Sequence, residues 1–89
     1  MDRAQQAVER IATHAGDNGV KLVGFPETTY HYSDNDRVVV CQCTGAVHIQ
    51  FNNLWAYYAP DRRVSFQEGD EELLIETAAR LEDGTYFAL

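Results

Sequence analysis

Apolar residues recur along this chain in two rhythms, a helical one near each end and an alternating one between them. The first runs through Ala4, Ala7, Val8, Ile11, Ala12 and Ala15, which share one arc of a helix at roughly 100° per residue. Asp2 is placed to cap this helix, with Gln5 three residues on to complete a capping box. Gly16 and the following Asp17-Asn18-Gly19 are expected to end it. The second helical rhythm runs from Asp70, a capping residue, to about Leu81, with Gly84 just beyond. Leu74, Ala78 and Leu81, flanked by Leu73 and Thr77, form its expected buried stripe.

Between the helices the pattern becomes that of strands. Val20 to Phe25 reads as one, stopped by Pro26, and Thr28 to Tyr32 as the next. Ser33-Asp34-Asn35-Asp36 makes the turn between that strand and the following one. This acidic turn lacks the length and the distal glutamate of a calcium loop.

Arg37 to Phe51 reads as a hairpin, because β-branched residues crowd both arms and Thr44-Gly45 offers a turn. A two-residue turn would set Cys43 opposite Ala46, Gln42 opposite Val47, Cys41 opposite His48, Val40 opposite Ile49 and Val38 opposite Phe51. Cys41, Cys43 and His48 would then share one face, with His31 of the preceding strand on the other.

Asn52-Asn53 predicts another hairpin into a strand at Leu54 to Tyr58, for which a short helix is the alternative. Pro60-Asp61-Arg62 reads as a turn, Arg63 to Gln67 as a strand, and Thr85 to Leu89 as a last short strand. The order is helix, several strands, helix, strand. It predicts a single α+β domain over residues 1–89, a mainly antiparallel sheet of about five to six strands with both helices on one face.

At 89 residues, 45% of them hydrophobic, the chain can build one core and little more. It contains no run long enough to span a membrane and no basic-then-apolar leader, so a cytoplasmic location is expected. The two cysteines, two apart, would strain a disulfide and are expected as buried free thiols.

Charge changes the picture more than composition does. The net charge is -7, which disfavours direct contact with nucleic acid or an anionic membrane. Between Glu68 and Asp83 lie seven acids and one base, so this stretch carries -6 of that total. Acids in the first helical turn complement the helix dipole, and Glu76 and Arg80 are spaced for an ion pair. Glu82 and Asp83, however, stand where cations are favoured. A halophilic surface would spread its acids over the whole chain.

A docking surface for a basic partner accounts for the concentration. Glu68, Asp70, Glu71, Glu72, Glu76, Glu82 and Asp83 would supply the charge, with Ile75 as an apolar centre beside Glu72 and Glu76. Seven acids over some 16 residues at about 1.5 Å rise average about one per 3.4 Å, near the phosphate spacing along one DNA strand.

Eight of the aromatic residues, Tyr30, Tyr32, Trp55, Tyr57, Tyr58, Phe66, Tyr86 and Phe87, serve mainly as core or sheet cover. Trp55 and Tyr57 share one face of their strand and could anchor a partner.

In size, acidity and compact α+β pattern, the chain resembles the broad class of small acidic phage and mobile-element inhibitors, including anti-CRISPR and antirestriction proteins. It is similar in the same way to immunity proteins and secretion chaperones. The resemblance rests on no shared motif. It implies a non-enzymatic inhibitor, in the manner of a DNA mimic, docking on the basic surface of a nucleic-acid-binding protein.

Cys41, Cys43 and His48 carry the alternative, a metal- or thiol-dependent regulatory domain. Cys₂His is a partial zinc set, but C-x-C is not the usual knuckle spacing and a fourth ligand is missing. A Cys41–His48 nucleophile would lack an oxyanion hole and an orienting carboxylate, and there is no glycine-rich phosphate loop. The expectation is a protein without catalysis, bound metal or cofactor. An open sheet edge would allow dimerisation.

Overall fold

The computed structural model describes residues 3–59 and 70–87. It shows helix α1 (Arg3–Asn18), strands β1 (Val20–Leu22), β2 (Glu27–Ser33), β3 (Asp36–Cys41), β4 (Val47–Phe51) and β5 (Leu54–Tyr58), and helix α2 (Asp70–Glu82). The strands form one antiparallel sheet in the order β1-β2-β3-β4-β5. Both helices pack on the same face, α1 over β2 and β3 and α2 over β5, with the helices against each other. The fold is therefore α+β, as the pattern of elements predicts.

The helical stripes are buried as their spacing requires. Ala4, Ala7, Val8, Ile11 and Ala15 of α1 meet Leu74, Ala78 and Leu81 of α2 and the inward side chains Val38, Ile49, Phe51, Leu54 and Ala56. The small residues of α1 let the two helices and the sheet approach closely. Asp2, the expected cap, lies outside the described residues. Gly16 does not stop α1, which continues to Asn18, where the Asn18 side chain donates to the His14 carbonyl at 3.0 Å. Gly19 sits in the crowded exit, since a Cβ there would lie 2.8 Å from the Ala15 carbonyl oxygen.

The turns depart more from expectation. β1 ends at Leu22 rather than Phe25, and residues 23–26, with a cis Phe25–Pro26 peptide, form the connection. Asp34-Asn35 is a tight turn, and the buried Asp36 accepts a 2.7 Å bond from the Ser33 hydroxyl and a 3.2 Å bond from the Asn52 amide. That carboxylate ties the β2–β3 turn to the β4–β5 turn.

The β3–β4 pairing is shifted by two residues from the expected register. Val40 faces Val47, Val39 faces His48 and Val38 faces Ile49, leaving residues 42–45 as the loop. A two-residue turn would have forced the β-branched Thr44 toward the left-handed region. In the longer loop only Gly45 adopts it, at φ 76°. An even-numbered shift keeps every side chain that remains in the ladder on its expected face, so the core is unchanged.

The C-terminal stretch is not a strand over its described part. Gly84, at φ +82°, closes α2, and the Thr85 and Tyr86 amides both return 3.0 Å bonds to the Arg80 carbonyl. Tyr86 then packs edge-on against Phe51 at 5.2 Å, and Phe87 against Tyr32 at 5.2 Å. These rings need a turn, because a strand would carry them away from the core. The expected strand at 63–67, Phe66 and Glu68 lie outside the described residues. Among the described residues no helix is long and apolar enough to cross a membrane.

Candidate interaction surfaces

Two surfaces carry the chemistry, the acidic flank of α2 and the sheet face that no helix covers among the described residues.

The carboxylates of α2 are partly engaged by α1. Arg3 lies 3.1 Å from Glu72 and 3.6 Å from Glu71. Arg10 forms a fork on Glu82, with its Nε donating to both carboxylate oxygens at 3.1 Å. The bonds from Arg10 hold the Glu82 carboxyl below the usual carboxylate range, and Glu82 raises Arg10 in turn. Asp83 accepts from the Thr85 hydroxyl at 2.6 Å and the Thr85 amide at 2.9 Å, which lowers it as well.

The expected Glu76–Arg80 pair is not what Arg80 makes. It reaches the Thr85 carbonyl at 3.4 Å and lies 5.5 Å over the Tyr86 ring, because the C-terminal turn folds back onto it. Glu76 forms no ion pair among the described residues. The exposed ion pairs are each worth at most about 1 kcal/mol, so a partner can displace them at small cost. They also leave the net charge of α2 unchanged.

Ile75 corrects the expected geometry. It is half-buried and packs against the core rather than standing as the apolar centre of an acidic face. Asp70 starts α2, and its side chain lies outside the described residues.

The uncovered sheet face is built from alternate residues of the same strands. Leu22, Thr29, Val39, His48 and Tyr57 form one continuous row across all five strands, and Val20, His31, Arg37, Gln50 and Trp55 form the next. Trp55 is 67% exposed, Tyr57 38%, Val20 67% and Leu22 53%. Arg37 donates to the Gln50 side chain at 3.0 Å, and His48 meets Tyr57 edge-on at 5.2 Å. This aromatic face, which carries Arg37 and Glu27, differs from the acidic helix layer behind it.

Sequence reasoning placed Trp55 and Tyr57 together and Tyr58 opposite, and the structure agrees. It missed Arg37, Val39 and Gln50, although their alternation with Val38, Val40, Ile49 and Phe51 is the signal that finds them. His31 was expected with Val38. Instead it faces Arg37 on the open side, because Tyr30 takes the place opposite Val38.

The cysteine cluster does not assemble as expected. The two-residue shift moves Cys43 off the sheet into the loop, where it is exposed, and Cys41 is half-exposed rather than buried. Among the described residues no group of three or more histidine, cysteine or acidic side chains could hold a metal ion. Cys41 lines a depression with Glu27, Val39, Thr44, Ala46, His48 and Tyr57. Its thiol is held below the usual range, with Thr44 the largest cause and the Cys43 backbone a smaller one, against the opposing effects of burial and Glu27.

On the other side of the molecule the His14 ring nitrogen and the Tyr32 hydroxyl are 2.7 Å apart. Burial, with a smaller contribution from Asp17, pushes the Tyr32 phenol up to about 12. Compared with known proteins, the chain matches no family, no curated protein and no solved structure.

Proposed function

We propose that the protein is a non-enzymatic binding protein that docks on a basic protein surface from its β5 side. One observation carries this reading. Trp55 and Tyr57 project from the open face of β5, while α2 packs on the opposite face of that same strand with its concentrated acids. A partner gripping this side would meet two rigid aromatic anchors beside a negatively charged rim, the arrangement expected of an interface. The acids would attract and orient a cationic partner, and the aromatics would hold it.

The sharpest form of the proposal is an inhibitor that occupies the cationic groove of a nucleic-acid-binding protein in place of DNA or RNA. Free thiols fit the reducing setting of the cytoplasm, where such a partner would be met.

The test is affinity capture at low salt, followed by titration of the captured partner with purified variants. The partner is expected to be basic and to be displaced by nucleic acid. Glu72→Lys with Glu76→Lys is expected to slow association by about tenfold or more and to flatten its salt dependence. Trp55→Ala is expected to speed dissociation. Affinity unchanged in all these variants would overturn the proposal.

A further inference from the structure

We propose that the free edge of β1 is a self-association site, through which two copies of this chain pair antiparallel and join their sheets into one.

The sheet order defines the edge. β1 is the outermost strand and pairs only with β2 among the described residues, so its outer main-chain groups lack a strand partner. All three of its residues are exposed, and the apolar run continues past it into the connection. Val23 is 77% exposed and Phe25 84%. With Val20 and Leu22 they are four of the seven large hydrophobic side chains exposed among the described residues. Such a concentration within one short run marks a contact surface, whereas scattered apolar residues would not.

Charge decides what can cover this edge. Residues 20–26 hold one charged side chain, Lys21, whereas α2 holds five acids and one base. The edge therefore offers nothing to a basic partner that α2 would attract. For a second copy the same distribution is favourable. α2 packs on β5, at the far end of the sheet from β1. Joining two sheets at β1 leaves the acidic helices roughly 40 Å apart, at about 4.8 Å per strand. That is several times the screening length of about 10 Å at 0.1 M salt. Pairing at β5 would instead set α2 beside its own copy, where like charges repel.

The edge is also its own complement. Across a two-fold axis, each residue of an antiparallel pair meets the one equally far on the other side. With Leu22 on the axis, Leu22 meets its own copy and Lys21 meets the partner's Val23, so the two ammonium groups do not face each other. Each copy has one β1 edge, so the pairing closes at two copies. β1 is only three residues long, and so small a contact makes a reversible dimer that forms as concentration rises. The dimer leaves β5 free at both ends, so it stands whether or not the docking reading does.

The test is sedimentation of the full chain over a wide range of concentration, with reductant present because Cys43 is exposed. The mass is expected to rise from 10.1 kDa toward twice that value. Amide exchange at residues 21–23 is expected to slow at the high end of the range, as the edge gains hydrogen-bond partners. Leu22→Lys is expected to raise the midpoint concentration by about tenfold or more. His48→Glu, on the open face of β4, is expected to leave the midpoint unchanged. A single 10.1 kDa species at every concentration would overturn the proposal. A dimer whose residues 21–23 exchange at the monomer's rate would do the same, as would one that His48→Glu breaks and Leu22→Lys spares.

Discussion

The two faces of the sheet are made from neighbouring residues of the same strands, yet they obey different rules. On the inner face Val38, Ile49 and Phe51 are sealed beneath the helices. On the outer face Val39, His48 and Gln50 stand one residue away, with no helix above them among the described residues. Two helices suffice to cover one side of five strands. The inner face therefore carries stability, and the outer face is where the proposal places recognition.

Substitutions along one strand test that division most strongly. Ile49→Ala is expected to cost about 3–4 kcal/mol in chemical denaturation, because the cavity it leaves lies between sheet and helices. His48→Ala, its neighbour on the open side, is expected to change stability by about 0.5 kcal/mol or less. Comparable losses at both positions would mean that something covers the outer face.

Effects of about 1 kcal/mol sharpen the account of the inner side. Thr77 is buried on α2, and its hydroxyl has no hydrogen-bond partner among the described residues. Thr77→Val, nearly the same shape, is expected to stabilise by up to about 1 kcal/mol. Tyr32→Phe removes the hydrogen bond to His14 and is expected to destabilise by about 1 kcal/mol.

The raised Tyr32 phenol adds a pH signature. The folded state holds its proton more tightly than the unfolded chain, so its contribution is complete below about pH 10. That contribution is lost as pH rises toward about 12. An ultraviolet titration is expected to show late-ionising tyrosines, since burial also raises Tyr86, and to lose one of them in Tyr32→Phe.

Smaller still is the exposed fork between the helices. Glu82→Gln is expected to cost about 0.5 kcal/mol or less, an effect reduced by salt. Because its carboxyl is lowered in the fold, that contribution is present above the ordinary carboxylate range. It should fade as acid protonates the group.

Much of this architecture was legible in the sequence because local periodicity decides it. The stripes Ala4–Ala15 and Leu74–Leu81 and the alternation in β3, β4 and β5 report burial directly. The register of β3 against β4 was not legible, since Thr44-Gly45 and residues 42–45 are both plausible loops until the backbone of a β-branched residue is considered. Tyr86 and Phe87 alternate like a strand, but their partners Phe51 and Tyr32 lie far away in the chain. Ile75 misled for the same reason, because a helical wheel cannot show what packs beside it. For the candidate surfaces, the concentration of acids was visible as composition. Their pairing with Arg3 and Arg10 depends on α1 lying alongside α2, a tertiary fact.

The most direct test of the docking account is a hydrogen-exchange footprint of the captured partner on this protein. The account predicts new protection along Leu54–Tyr58 and along α2, with the exposed flank of α1 around Thr13 and Asp17 unchanged. Protection confined to that flank of α1, with β5 and α2 exchanging as in the free protein, would contradict it.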